Sequence, residues 1–146
     1  MIKVVFDTNL LVSAFLTREE PAGVSSELLR LAREGTVDLH LSSAIIAETL
    51  GTLVASRRLQ QRYAYDAGMA AQYCDDLSTV VTLVPDPPPT PGAVPRDPDD
   101  DKIIACALVA GAEYIISRDR DLLSLGTYDG ITIIAPEAFL RVVHGR

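Results

Sequence analysis

Apolar and polar positions along this chain switch repeatedly between a strand-like and a helix-like rhythm. Residues 2–6 (IKVVF) are almost continuously apolar, as a buried strand would be, and Asp7-Thr8-Asn9 breaks the run. A short apolar helix is expected over Leu10–Leu16. Pro21 is expected to open a second, in which Leu28, Leu29 and Ala32 recur at helical spacing and Gly35 marks the stop. Val37, Leu39 and Leu41 alternate as a strand. Ser42 or Ser43 fits the N-cap of a helix running to about Arg57, residues 61–76 read as another helix, and Val80–Val84 as a further strand. Pro85 to Pro98 holds seven prolines, so no regular element is expected there.

After this loop comes the clearest helix start in the chain. Asp97 suits the N-cap and Pro98 the first helical position, while Asp99 and Asp100 sit where the helix dipole favours negative charge. The helix should end near Gly111. Tyr114–Ile116 is the next strand, followed by Ser117 and a short acidic helix from Asp119 to Leu123. Ile131–Ile134 is the last strand, and Pro136 begins a terminal helix reaching about Val142. Strands alternating with helices predict one α/β domain spanning 1–146, built on a mainly parallel sheet of about five strands. In such sheets sites gather beyond the carboxyl ends of strands, which directs attention to Asp7, Ser42 and the stretch Ser117–Asp121.

Composition then narrows the classes. Apolar residues are 48% of the chain, enough for a core, and no apolar run is long enough to span a bilayer. The start, MIKVVFDTN, has no signal-peptide pattern, and Cys74 and Cys106 have no metal-ligand spacing, so a cytoplasmic protein with reduced thiols is expected. The formal net charge is −7, which argues against a passive nucleic-acid binder. It leaves room for an enzyme on phosphodiesters, because bound divalent cations invert the sign of an acidic site.

The carboxylates are the candidate chemistry. Asp7 ends the first strand at the rim of the core, where it serves equally as a helix cap or a functional acid. Asp101 lies on the same inward stripe as Ile104, Ala107, Leu108 and Gly111, and an acid on a buried face needs a partner. Glu48 falls away from the apolar face made by Ile46, Leu50 and Leu53, so periodicity alone places it in solvent. Asp119 and Asp121 read equally as cap and first-turn charges of their short helix. Two unit charges about 4 Å apart repel by about 1 kcal/mol in water and about 4 kcal/mol at an effective dielectric of 20. Several acids sharing a rim would therefore titrate upward or hold a divalent cation, and all-oxygen donors suit Mg²⁺ or Mn²⁺. His40 and His144 do not build a zinc site.

At this point the chain resembles the PIN domain family, in particular toxin-like members related to VapC toxins. The matching stretches are VVFDTNLLVSAFL, SSAIIAETL and RDPDDDKIIACALVAGAEYIISRDRDLL. The resemblance implies a three-layer α/β/α fold and a Mg²⁺- or Mn²⁺-dependent ribonuclease. It assigns the family's acids to Asp7, Glu48, Asp101 (or the adjacent Asp100) and Asp119. Ser117 falls on the family's hydroxyl position, Asp121 on a possible fifth acid, and Asn9 on the small polar residue near the first. It also implies RNA as substrate, a small antitoxin partner, and a homodimer. Two other readings stand beside it. One is a non-catalytic interaction module of the same fold. The other is a Mg²⁺-dependent phosphotransfer domain, against which stand Asn9, where a phosphatase needs an Asp, and the lack of a suitably placed lysine, the only two being Lys3 and Lys102.

Overall fold

The computed structural model describes residues 1–19, 23–86 and 100–145. Expectations placed on Pro21, on residues 87–99 of the proline-rich loop, and on Asp97, Pro98 and Asp99 as helix-start residues lie outside that set.

The elements in order are β1 (Ile2–Phe6), α1 (Thr8–Leu16), α2 (Val24–Arg33), β2 (Val37–Ser42), α3 (Ser43–Ala55), α4 (Arg57–Tyr63), α5 (Ala67–Val80), β3 (Thr82–Val84), α6 (Asp101–Ala110), β4 (Tyr114–Ile116), α7 (Arg120–Leu123), β5 (Thr127–Tyr128), β6 (Ile131–Ile134) and α8 (Pro136–His144). The strands form one sheet in the order β3-β2-β1-β4-β6-β5. All pairings are parallel except β5 with β6. The α/β class and the mainly parallel sheet match the sequence expectation; the sheet has six strands where about five were expected. The extra strand is the two-residue β5, too short for a period-2 signal.

Consecutive residues of β1 point to opposite faces, yet Val4, Val5 and Phe6 are all buried, as are Ile115 and Ile116 of β4. Both faces of the central strands are therefore covered, which is why these strands read as unbroken apolar runs. Helix α6 packs on β1, β2 and β4, while α1 packs on α2 and α3.

Three boundaries moved. The helix expected over 61–76 is two helices, α4 and α5. Ala64 ends the first in the left-handed conformation (φ 51°, ψ 58°), and the Asp66 carboxylate caps the second through Met69 N–H at 2.9 Å. Val80 belongs to α5, so the strand expected from Val80 begins at Thr82. Helix α6 takes Asp100 as its N-cap residue, which puts Asp101 at its first position instead of a full turn inside.

The strand order positions the site. The chain adds β2 and β3 on one side of β1, then crosses back to place β4 on the other. The reversal lies between the parallel neighbours β1 and β4, whose register pairs Phe6 with Ile116. Where strand order reverses, the connections leave in opposite directions and open a crevice beyond the strand ends.

Candidate functional site

Two residues step off the central strands directly into that crevice: Asp7 after β1 and Ser117 after β4. The Asp7 backbone N–H donates to Ile116 O at 3.2 Å, extending the strand ladder by one bond and holding the two side chains together. The Ser117 hydroxyl donates to Asp7 Oδ2. The same Ser117 oxygen accepts the Asp119 backbone N–H at 2.9 Å. Asp7 and Ser117 are 3% and 0% exposed, so this junction is sealed on its inner side.

Both acids at the junction also cap helices. Asp7 Oδ1 accepts Leu10 N–H at 3.1 Å and starts α1. Asp119 Oδ1 accepts Asp121 N–H at 2.8 Å and Leu122 N–H at 3.3 Å and starts α7. The capping and functional readings of these acids are thus compatible, because each carboxylate oxygen carries two lone pairs and one hydrogen bond leaves room for a second partner. Burial pushes the Asp7 carboxyl above its ordinary range. Hydrogen bonds from Ser117 and from the Leu10 and Asn9 backbones oppose the rise, and the charge of Asp119 adds to it.

Asp101 is buried at the first turn of α6. In a parallel β–α–β crossover the helix starts where the preceding strand ended, so the first turn of α6 lies at the carboxyl-end rim that Asp7 and Ser117 occupy. Its neighbours in the helix, Ile103, Ile104 and Ala107, are buried too, as the apolar stripe requires; Leu108 is only partly covered.

Helix α3 leaves the same rim from Ser42, whose hydroxyl accepts Ile45 N–H at 3.3 Å, while Asp86 Oδ1 accepts Ala44 N–H at 3.0 Å. Ala44, Gly51 and Ala55 are exposed, as the periodicity of α3 implies. Glu48 on that face departs from the pattern: it is half-buried and ion-paired to Lys102 of α6. Lys102 directly follows Asp101, so the pair brings Glu48 against the first turn of α6. Desolvation lowers the Lys102 pKa. The adjacency of Lys102 to Asp101 is plain in the sequence, but its contact with Glu48 spans 54 residues (102 − 48) and has no local signal.

The remaining candidates are peripheral. Asn9 is exposed and contributes its backbone to Asp7. Asp121 is half-buried and donates its backbone N–H to Asp119. Arg118 pairs with Glu137 of α8. His40 Nε2 lies 3.0 Å from Asp38 Oδ2 within β2, away from the acids. Cys74 and Cys106 are free and buried, and burial pushes both thiols up to about 11.

Among the described residues, no group of three or more His, Cys, Asp or Glu side chains stands ready to hold a metal ion. The donors at the rim are nevertheless hard oxygen atoms, and Asp7 is a buried carboxylate further strained by a neighbouring one. A divalent cation relieves that condition. Mg²⁺ is commonly held by only one or two carboxylates with waters completing its shell, so the donor chemistry fits without a preformed cage.

A family model described as PIN domain matches residues 3–121. No curated protein matches the chain. Among solved structures it is similar to PAE2754 from Pyrobaculum aerophilum, with 15% identity and a TM-score of 0.59 over 99% of this chain and 91% of that one. It is also similar to VapBC2 from Rickettsia felis bound to a DNA fragment from their promoter, with 13% identity and a TM-score of 0.58 over 92% of this chain and 98% of that one. At these identities the structural likeness speaks to fold alone.

Proposed function

The chain belongs to the PIN domain family, and on that premise we propose that it is a divalent-cation-dependent ribonuclease, the toxin of a toxin–antitoxin pair. The observation that carries the reading is the Asp7–Ser117–Asp119 junction, a buried carboxylate with an upward-shifted pKa at the point where strand order reverses. A carboxyl perturbed by burial in such a crevice marks a candidate site for chemistry or cation binding.

Asp7 and Asp101 would hold Mg²⁺ or Mn²⁺, with Asp119 completing the set directly or through water. When bound, the cation would supply Lewis-acid stabilisation of a phosphodiester and lower the pKa of an attacking water. The residues themselves have defined tasks. Ser117 holds one Asp7 oxygen and fixes the backbone of Asp119, so the two acids keep a constant relation. The caps on α1 and α7 keep both carboxylates from swinging into solvent. Ser117 is given a positioning role and not a nucleophilic one, since no histidine or lysine base contacts its hydroxyl among the described residues. Asn9 and Asp121 stand at the mouth as positioning groups.

The toxin reading rests on the resemblance of the three acid-bearing stretches to VapC-like proteins, and the fold shared with VapBC2 is compatible with it. It carries with it a small antitoxin as partner, a homodimer, and a cytoplasmic setting. No helix among the described residues is long and apolar enough to cross a membrane.

The decisive test is cleavage of single-stranded RNA by the purified protein with Mg²⁺ or Mn²⁺, against EDTA and against Asp7→Asn and Asp101→Asn. The expected result is cleavage only by the wild type with metal. Equal cleavage in all samples would remove the metal–carboxylate mechanism. One observation favours a second reading, a non-catalytic interaction module of the same fold: Asp7 and Asp119 already have structural employment as caps. Absence of cleavage for any RNA by metal-loaded protein would decide for it.

A further inference from the structure

The rim is built from acids, and the chain carries a formal net charge of −7, so an anionic substrate meets repulsion over most of its approach. Among the described residues, Lys102 is the cation that two helices hold against those acids. It occupies the second position of α6, directly after buried Asp101, and its ammonium is ion-paired with Glu48 across from α3. The Lys102 side chain is 30% exposed and that of Glu48 38%, so the pair is braced by two helices yet open to solvent on one side. An ammonium has three N–H donors. Glu48 takes up part of that capacity and leaves the rest facing outward. Of the other basic residues near the rim, Arg118 pairs with Glu137 of α8, and Arg120, between Asp119 and Asp121, is exposed on α7 with no opposing helix to brace it among the described residues. Lys3, the second lysine, lies near the opposite end of β1.

We infer that Lys102 is a phosphate-contacting cation of this rim, and that Glu48 acts through it, as the residue that positions the ammonium and not as a direct ligand of the divalent cation. The inference rests on the ribonuclease reading of the same rim. It divides the four acids into two kinds: Asp7, Asp101 and Asp119 for the metal, Glu48 for the lysine. The mid-helix position of Glu48 is consistent with this division. It lies five residues past the start of α3, about 7.5 Å along the axis from the strand-end rim, where the Lys102 ammonium meets it.

The test uses two readouts on the full chain. Binding of a short single-stranded oligouridylate is followed by fluorescence anisotropy over a salt series, with Ca²⁺ in place of Mg²⁺ to suppress cleavage. Binding of Mn²⁺ alone is followed by calorimetry. Lys102→Met is expected to weaken RNA binding and to lower the slope of log affinity against log salt by about 0.7, the loss of one phosphate contact to a single strand. Lys102→Arg should keep the slope, which a merely structural strap between α3 and α6 would not require. Glu48→Gln should retain Mn²⁺ affinity, whereas Asp101→Asn should lose about tenfold or more. An unchanged salt slope in Lys102→Met, or no RNA binding by the wild type, would overturn the inference. So would a loss of Mn²⁺ affinity in Glu48→Gln as large as that in Asp101→Asn. If the wild type binds no Mn²⁺ while the Lys102 slope change holds, the metal mechanism fails and the phosphate role of Lys102 stands.

Discussion

The Ser117 hydroxyl donates to the Asp7 carboxylate across the junction of the two central strands and, through the same oxygen, accepts the backbone N–H of Asp119. One completely buried side chain thus connects the acid after the first strand to the acid after the fourth. The Asp7 end of this pairing is buried and the Asp119 end partly so. Ser117→Ala is therefore expected to cost about 1–3 kcal/mol of stability, the penalty for leaving buried polar groups unpaired. Chemical denaturation checks this; a change within experimental error would show that the junction is wetter than its burial implies.

Asp7 makes the metal-free protein sensitive to pH in an unusual direction. Its folded-state pKa is raised by burial above the ordinary value of 3.8. The folded state therefore holds the proton more tightly than the unfolded state, and stability from this group falls as pH rises from 3.8 through the folded value. Above that window the buried charge is a standing cost. Asp7→Asn keeps the cap, since Asn serves that position as well as Asp, and removes the charge. In EDTA at neutral pH the variant should melt at a higher temperature than the wild type, and the difference should shrink as pH is lowered. A lower melting temperature for the variant at neutral pH would contradict the upward shift.

A divalent cation should reverse that ranking. Saturating Mn²⁺ at a hundredfold excess over its dissociation constant stabilises the folded state by about 2.7 kcal/mol. The wild type should gain this increment in a thermal-shift assay while Asp7→Asn and Asp101→Asn do not. An equal gain in all three proteins would place the ion elsewhere.

Ala64 offers a test away from the site. It ends α4 in the left-handed region with φ 51°, where a Cβ is disfavoured by about 1–2 kcal/mol. Ala64→Gly relieves that strain but adds unfolded-state entropy of about 0.4–1 kcal/mol. The net expectation is a stabilisation of about 0.5–1 kcal/mol, measured by urea midpoint. A destabilised variant would show that Ala64 is not strained.

Ala64 also shows why the α4–α5 break was not visible beforehand. A glycine there would have announced a helix end, whereas alanine is the strongest helix former and was read through. The six buried positions of β1 and β4, by contrast, are legible because burial on both faces leaves Lys3 as the one charged residue in these two strands. The short β5 has too few residues to carry a period at all.

The amino-acid sequence by itself determined the α/β class, the parallel strands, the position of Asp7 at a strand end and of Asp101 on an inward helical face. These follow from local spacing, which reports which side of an element meets the core. Only the tertiary structure decided that Ser117 joins Asp7 to Asp119, and that Glu48 turns from its solvated face to Lys102. Those contacts join residues 110 and 54 positions apart in the chain (117 − 7 and 102 − 48). Pairing at such separations is set by strand order and helix packing, and no periodicity within one element encodes it.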